Sequence, residues 1–289
     1  MSQPFLALID LGAYAEDDVE IIKKQQSYIG NTFVKVNDAN YKKAKALLKN
    51  ALGTLSIHFD ATNLQSINDI INLLDCGAAS VVVTHSQLTE LKSLSTISPE
   101  RLILSVKDIE DKNFVKFAEN ATFGIHISAL GDVEKLENWY NKKTSENPFI
   151  SCSLKNLEVL SILRVAQTPA IPVIPIDVLS NDNRSDKVNV ADLLTLNIIS
   201  DRSDNLISTL VTDEKGVALG LVYSSPESIS ESLRTGRGVY QSRKRGLWYK
   251  GETSGDIQEL VNIEKDCDND CLKYIVRQKG KGMFLVNEY

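Results

Sequence analysis

The sequence predicts an α/β protein in two parts: an irregular (β/α)8-like barrel followed by a small α+β domain. Three observations support this class. β-like and helical segments alternate up to residue 176, the β-like segments are apolar nearly throughout, and strands dominate after residue 206. Strands that are apolar on both faces are typical of a parallel sheet covered by helices. Because the repeat is only about 20–25 residues long, an open doubly wound sheet is the runner-up.

The predicted barrel strands are short runs rich in Val, Ile and Phe. They are residues 5–10, 32–36, 55–59, 80–85, 101–106, 121–128, 149–154 and 171–176. Between them, apolar residues recur every three or four positions, which predicts amphipathic helices. The clearest are residues 41–53, 66–80 and 132–143, and Gly77 is a stop signal for the second helix.

The second part begins with a polar stretch, residues 177–189, that is typical of a linker, and a short amphipathic helix follows at 190–199. Two hairpins are predicted after it, one around Lys215-Gly216 and one around Gly246. The predicted segments are strands 206–213, 217–225, 239–245, 247–251, 260–270 and 271–278, with a helix at 225–236. Ser225 is the expected N-cap of that helix, Pro226 its first residue and Gly236 its stop.

The composition is that of an ordinary globular protein. Of its 289 residues, 43% are hydrophobic and 24% are charged, and the net charge is -6. The negative charge argues against a general nucleic-acid binder. No secretory signal and no membrane-spanning apolar run is evident, so we expect a cytoplasmic protein that does not act on membranes. In a reducing compartment, its four cysteines are better interpreted as buried thiols or metal ligands than as disulfides.

The stretch DCDNDC, residues 266–271, carries the first candidate site. If it is a strand, Asp266, Asp268 and Asp270 share one face and Cys267 lies on the other. Carboxylate oxygens suit Mg²⁺, and a thiolate suits Zn²⁺. The alternative is a solvated acidic strand end without a metal.

The second candidate site is TGRGVYQSRKRGLWYKGETSG, residues 235–255. Arginines, hydroxyls and glycine-rich backbone are the groups that bind a phosphate, and Tyr240, Trp248 and Tyr249 are candidates for stacking on a base. The alternative is a basic hairpin with a packed aromatic face.

These motifs make the region from about residue 200 to 280 resemble the phosphoribosyl-AMP cyclohydrolase family. The resemblance rests on the segments SDRSDNLISTLVTD, GVALGLVYSS, SISESLRTGRGVYQSRKRGLWYKGETSG and DCDNDCLKYIV, which are similar to the N-terminal part of the fungal trifunctional histidine-biosynthesis proteins. The expected domains are therefore 1–180, barrel-like and non-catalytic, 181–199, linker and helix, and 200–289, cyclohydrolase-like.

The resemblance implies a homodimeric hydrolase that opens the adenine ring of phosphoribosyl-AMP at the N1–C6 bond, with Mg²⁺ and Zn²⁺ as cofactors. By matching position, Asp266, Asp268 and Asp270 are expected to bind Mg²⁺, and Cys267 is expected to bind the zinc that activates water. The implied substrate-binding residues are Arg237, Ser242, Arg243, Arg245, Lys250, Glu252, Thr253 and Ser254.

The sequence departs from the family at the zinc site. The family has a Cys-His pair and a later Cys after this strand, whereas Phe284 and Leu285 stand at the Cys-His position here, and no cysteine follows Cys271. We therefore expect impaired turnover. The alternative is a non-catalytic remnant that binds nucleotide or serves as a scaffold.

A weaker resemblance concerns the first part. FLALIDLG, with Asp10, and LLDCGAASVVVTH are similar to the histidine-pathway phosphoribosyl isomerase barrels. Those barrels bind phosphate through Gly-Gly loops, which SIHFDA and SCSLKN lack. A scaffold without activity is therefore expected, with His58, His85 and His126 as ordinary core or rim residues.

Overall fold

The structure is a computed structural model, and it describes residues 4–13, 31–51, 56–94, 97–111, 114, 124–142, 150–182, 184, 186–266 and 268–280. The described residues from 5 to 178 form one compact unit, and those from 179 to 280 belong to another. The first is called the barrel unit below and the second the C-terminal unit.

The barrel unit contains a closed barrel of eight parallel strands in chain order, β1 to β8. They are β1 Leu6–Asp10, β2 Thr32–Asn37, β3 Ile57–Asn63, β4 Ser80–Val83, β5 Leu102–Val106, β6 Gly124–Leu130, β7 Ile150–Leu154 and β8 Ile171–Pro175. Strand β1 pairs with both β2 and β8, which closes the sheet. The predicted barrel is thus confirmed, and the open sheet that was the runner-up is wrong.

Five α-helices of the barrel unit lie within the described residues: α1 Tyr41–Ala51, α2 Ile67–Asp75, α3 His85–Ser93, α4 Val133–Lys142 and α5 Val159–Ala166. Helix α2 ends near Gly77, whose φ is 102°. The prediction that β4 runs to residue 85 is wrong, because Thr84 is the N-cap of α3. Its hydroxyl accepts a hydrogen bond from the Gln87 N–H, and the Gln87 side chain accepts one from the Thr84 N–H.

Alternate strand residues divide between two apolar layers. One set packs against the helices in a large cluster that includes Val34, Phe59 and Val81 from the strands and Leu73 and Leu136 from the helices. The other set points into the barrel and forms a small cluster of Leu6, Phe33, Val82, Ile103 and Val173. This division follows from the period of two along a strand.

The C-terminal unit is α+β, as predicted. Its main sheet has four strands in the order β12-β11-β16-β15, and β13 and β14 form a separate hairpin. The elements are β9 Leu179–Ser180, β10 Val188–Asn189, α6 Val190–Thr195, β11 Ile207–Thr212, β12 Ala218–Ser224, α7 Pro226–Thr235, β13 Val239–Ser242, β14 Gly246–Tyr249, β15 Gln258–Lys265 and β16 Cys271–Gln278. Within the main sheet, β11 and β16 are parallel and the other two pairs are antiparallel; β9 and β10 form a separate parallel pair.

Helix α7 has the end signals that the sequence predicts. Ser225 is its N-cap, Pro226 is its first residue, and Gly236 ends it in the left-handed conformation at φ 65°. The hairpin β11–β12 also forms around Gly216, where the Asp213 carboxylate accepts hydrogen bonds from the N–H groups of Lys215 and Val217.

Candidate functional site

A basic turn joins β13 to β14. Ser242 pairs with Gly246 at the end of the hairpin, so Arg243, Lys244 and Arg245 form the connection, and all three are exposed. Gly246 has a φ of 77°, a conformation that favours glycine. The hairpin therefore presents three consecutive cations to solvent.

An open cleft of about 540 Å³ lies beside this turn. Nine residues line it: Leu221, Val222, Tyr223, Gln241, Ser242, Arg243, Lys244, Arg245 and Trp248. Strand β12 contributes one wall, and the β13–β14 hairpin contributes the other. The Arg245 guanidinium lies over the Trp248 ring, 5.4 Å from its centroid, so charged and aromatic groups share the same surface.

Tyr223 is contacted by two guanidinium groups. The guanidinium carbon of Arg202 lies 4.1 Å from the Tyr223 ring centroid, and that of Arg243 lies 5.2 Å from it. Arg202 also donates a 3.2 Å hydrogen bond to the Tyr223 hydroxyl. Asp204 holds Arg202 through bonds of 2.8 and 2.7 Å, so this ring has a fixed position at the cleft wall.

The cations of the basic turn lack the ion pairs that three other arginines of the unit form. Arg202, Arg234 and Arg277 bind Asp204, Glu231 and Glu214, respectively. Within the part of the chain that the structure describes, no carboxylate pairs with Arg243, Lys244 or Arg245. The cleft is therefore electropositive at this end and suited to an anionic group.

Of the predicted substrate-binding residues, the structure places Ser242, Arg243 and Arg245 in the cleft lining. The other five, Arg237, Lys250, Glu252, Thr253 and Ser254, do not line it. Arg237 is exposed and forms a backbone bridge to Glu259. Lys250 donates its backbone N–H to the Gly238 carbonyl at 3.0 Å, and 252–254 form an exposed turn.

Two of the tyrosines proposed for base stacking, Tyr240 and Tyr249, form hydrogen bonds within the C-terminal unit. Tyr240 is only 1% exposed, and its hydroxyl donates a 2.6 Å hydrogen bond to Gln258. The Tyr249 hydroxyl donates a 2.7 Å bond to Glu231, and this bond raises the pKa of Tyr249. The stacking prediction is wrong for Tyr240 because its ring is enclosed; Trp248 is the aromatic residue of this hairpin that reaches the cleft.

Sequence reasoning missed Tyr223, which lines the cleft, and Arg202, which contacts the Tyr223 ring. Tyr223 lies near the end of a β-like run, where a tyrosine is ordinary strand material. Arg202 is followed two residues later by Asp204, a spacing that gives no indication of a contact with residue 223. Only the pairing of β11 with β12, which places Ser208 opposite Tyr223, brings that part of the chain together.

The acidic motif is a loop and not a strand. Lys265 pairs with Leu272 across β15 and β16, so the motif connects two antiparallel strands. The Asp266 carboxylate accepts hydrogen bonds from the N–H groups of Asp268, at 3.2 Å, and Asp270, at 3.4 Å. The expected alternation of faces is therefore wrong here, and Asn269, at φ 58°, is the turn signal that indicates a loop.

The described part of this loop gathers no complete metal site. Asp268 and Asp270 are exposed, and no group of three His, Cys, Asp or Glu side chains is placed to hold a metal among the residues that the structure describes. Cys267, the predicted zinc ligand, lies outside the described residues. Burial raises the pKa of the Cys271 thiol, which donates to the Leu272 carbonyl at 3.4 Å.

Lys265 is the last residue of β15 and directly precedes the acidic loop. It is 6% exposed, and its ammonium donates a 3.1 Å hydrogen bond to the Leu196 carbonyl. Burial lowers the pKa of Lys265, and the neighbouring Asp266 carboxylate opposes this effect.

No helix in the described ranges is long and apolar enough to cross a bilayer.

The residues that line the cleft lie in a region that matches a known protein family. The family model for phosphoribosyl-AMP cyclohydrolase matches residues 220–284, which include β12, the basic turn and the acidic loop. A phosphoribosyl-AMP cyclohydrolase of Roseobacter denitrificans is 48% identical over 77 residues, covering 26% of this chain and 60% of that protein.

Two longer relatives match nearly the whole chain. The histidine biosynthesis trifunctional protein of Neurospora crassa is 38% identical over 287 residues, which are 96% of this chain and 32% of the relative. The histidine biosynthesis bifunctional protein his7 of Schizosaccharomyces pombe is 34% identical over 300 residues, covering 96% of this chain and 68% of that protein. The chain thus spans about a third of the first relative and two thirds of the second. It belongs to the family of these histidine biosynthesis proteins, and its C-terminal unit carries their region of resemblance to phosphoribosyl-AMP cyclohydrolase.

Proposed function

We propose that the C-terminal unit binds phosphoribosyl-AMP and hydrolyses the N1–C6 bond of its adenine ring. The observation that carries the proposal is the unpaired basic turn, which shares a cleft of about 540 Å³ with Tyr223 and Trp248. Guanidinium groups bind phosphate in a bidentate way, and aromatic rings stack on bases. The volume lies within the range typical of small-molecule sites.

The 5′-phosphate is expected to contact Arg243 and Arg245, and the Ser242 hydroxyl supplies a further hydrogen bond. By resemblance, Arg237, Lys250, Glu252, Thr253 and Ser254 complete the site. Because these five residues lie outside the cleft of a single chain, we propose that a second copy closes the site in a homodimer. The exposed Leu221, 81% accessible at the rim of the cleft, is consistent with such a cover, and light scattering tests the dimer.

The acidic loop fits Mg²⁺ better than zinc. Mg²⁺ is commonly held by one or two carboxylates together with substrate phosphates and water, and the exposed Asp268 and Asp270 can serve in this way. Asp266 is the third proposed ligand, although its carboxylate already accepts two backbone N–H groups of the loop. Binding of Mg²⁺ is thus expected to strengthen when nucleotide is present.

The zinc site does not fit a complete ligand set. In this reaction class, a bound zinc supplies hydroxide at neutral pH, and catalytic zinc sites use three protein ligands. Cys267 is one thiol ligand expected from the resemblance, and Phe284 and Leu285 stand where the family has its Cys-His pair. We therefore propose that turnover is weak while nucleotide binding persists.

The second candidate function is a non-catalytic nucleotide-binding or scaffold role. The replacement of the Cys-His pair favours it. Two measurements distinguish weak hydrolysis from a non-catalytic role. Absorbance follows ring opening with added Mg²⁺ and Zn²⁺, and calorimetry measures the binding of AMP. Turnover at ordinary enzyme rates contradicts the proposed impairment; AMP binding without turnover supports the second function, and no AMP binding leaves only a structural role.

Zinc content is the complementary measurement. We expect substoichiometric zinc in the purified protein, because a single thiolate does not hold zinc tightly. Stoichiometric, tightly bound zinc would show that other residues complete the site. We also propose a cytoplasmic location, as expected from the sequence, and cell fractionation tests it.

A further inference from the structure

The interior of the barrel changes from apolar to polar toward the carboxyl ends of its strands. At the lower level, Leu6, Phe33, Val82, Ile103 and Val173 pack together. Lys35 lies two residues beyond Phe33 on β2. The inward positions at this level on β3, β6 and β7 are Asp60, His126 and Ser151. Substrates of such barrels bind at this end, so the polar interior marks a candidate ligand site.

Three charged residues lie side by side on adjacent strands at this end. Asp10 pairs in register with Lys35, and Lys35 pairs in register with Asp60. Asp10 and Lys35 are exposed, whereas Asp60 is 9% exposed. Within the described ranges, none of the three forms an ion pair with another residue.

Asp60 retains a free oxygen. Its Oδ1 accepts hydrogen bonds from the Thr62 hydroxyl, at 2.6 Å, and from the Thr62 N–H, at 3.2 Å. No described residue donates to Oδ2. The Oδ2 atom is not fully buried, so it can accept a hydrogen bond from water or from a ligand.

His126, on β6, lies close enough to Asp60 and Lys35 for their charges to act on it. It is 2% exposed, its ring centroid lies 4.9 Å from that of Phe33, and its Nδ1 is hydrogen-bonded to the Ser151 hydroxyl at 3.0 Å. Burial lowers the pKa of His126 to about 4, and the nearby charges of Asp60 and Lys35 act on it in opposite directions. The imidazole is therefore neutral near pH 7 and adds no positive charge.

The charge balance selects the ligand class. Among the described residues of strands β1 to β3, the two carboxylates of Asp10 and Asp60 flank the Lys35 ammonium, so a purely anionic ligand meets net repulsion there. A ligand with both an ammonium and an acidic group satisfies the carboxylates and the lysine together. We propose that the mouth of the barrel binds a small zwitterion of the α-amino-acid type, with its ammonium at Asp60 and its carboxylate at Lys35.

Calorimetry of the full chain with each proteinogenic L-amino acid tests this site, with ribose 5-phosphate and inorganic phosphate as anionic probes. We expect at least one amino acid to bind and its N-acetyl and amide derivatives to bind at least tenfold more weakly, which corresponds to about 1.4 kcal/mol. Binding of the phosphate probes at this site in preference to every amino acid would overturn the proposal, as would no amino-acid binding at all.

Matched variants locate the binding. Lys35→Met and Asp60→Asn are expected to weaken it at least tenfold, whereas Lys42→Met, on the exposed side of α1, and Asp75→Asn, at the end of α2, leave it unchanged. Because Lys35 is exposed, its replacement does not threaten folding. Equal binding by Lys35→Met and the wild type would contradict the assignment, and the test is independent of the cyclohydrolase cleft.

Discussion

Replacing Gly251 with alanine should destabilise the C-terminal unit far more than the same change at Gly216, although the two backbones are alike. Gly251 has a φ of 86° and Gly216 a φ of 84°. A Cβ on Gly251 would lie 2.4 Å from the backbone carbon of Asp256 and 2.4 Å from the backbone nitrogen of Ile257, whereas one on Gly216 would meet nothing within 4 Å. Comparing Gly251→Ala with Gly216→Ala therefore distinguishes the cost of a steric clash with the 256–257 backbone from the cost of the left-handed backbone conformation.

The magnitude follows from two terms. A left-handed backbone costs alanine ~1–2 kcal/mol, and the reduced entropy of the unfolded chain offsets ~0.4–1 kcal/mol of this cost. Gly216→Ala should therefore lower the free energy of unfolding by about 1 kcal/mol. At Gly251 the loop must also open by roughly 1 Å to restore ordinary contact distances.

That movement disturbs two hydrogen bonds of the 250–257 loop. Gly255 donates its N–H to the Gly251 carbonyl at 2.9 Å, and Ile257 donates to the Gly255 carbonyl at 3.0 Å. Each is worth ~1 kcal/mol, so the total loss for Gly251→Ala is about 3 kcal/mol. The same movement displaces the predicted substrate-binding turn 252–254.

Urea unfolding followed by tryptophan fluorescence measures this difference. The chain has two tryptophans, Trp139 in the barrel unit and Trp248 in the hairpin, so a Trp139→Phe background isolates the C-terminal signal. The change in midpoint multiplied by the m value gives the free-energy change. Equal midpoint shifts for Gly251→Ala and Gly216→Ala would refute the argument that close backbone approach requires this glycine.

Three further outcomes are expected. Arg202→Ala should weaken AMP binding several-fold in calorimetry, because Tyr223 loses its hydrogen-bonded support, whereas the ion-paired and exposed Arg277→Ala should not; equal effects would contradict a positioning role. In metal-free buffer, Asp266→Ala should lower the urea midpoint by the equivalent of ~1 kcal/mol per lost loop hydrogen bond, whereas Asp268→Ala should leave it unchanged. A larger midpoint shift for Asp268→Ala than for Asp266→Ala would show that the loop is not held by Asp266. The pKa of His126 falls from 6.5 to about 4 on folding, so the unfolded chain binds more protons in that interval and stability should decrease by up to about 3 kcal/mol as the pH falls through it; a urea midpoint with the same pH dependence in His126→Gln would contradict this.

Much of the fold was predictable because its signals are local. The ends of α7 depend on Ser225, Pro226 and Gly236, each of which acts through its own backbone or the adjacent turn. The barrel strands are likewise encoded by short apolar runs, and the closed sheet follows from their alternation with helices. The boundary at Thr84 was misplaced because the preceding Val run is ideal strand material, while the capping bond to Gln87 ends it.

The candidate site was less predictable because its contacts are distant in sequence. The basic turn was found from composition, yet its aromatic wall comes from β12, and Arg202 reaches that wall only through tertiary structure. The orientation of Tyr240 could not be inferred because both Val239 and Tyr240 are buried in β13, so alternation does not assign a solvent face. The acidic motif was misread as a strand because period-two spacing alone does not distinguish a strand from a loop rich in turn residues.

The residues proposed to bind nucleotide lie on other elements than those proposed to hold zinc. The basic turn and Tyr223 depend on β12, the β13–β14 hairpin and the Arg202–Asp204 pair, none of which includes the zinc-type residues. The proposed loss of zinc ligands would therefore remove an interaction that acts on the transition state, while interactions that bind the substrate in its ground state would persist. A chain of this family can consequently retain affinity for its nucleotide with little turnover, so a measured affinity for AMP is evidence for the site and is no evidence for hydrolysis.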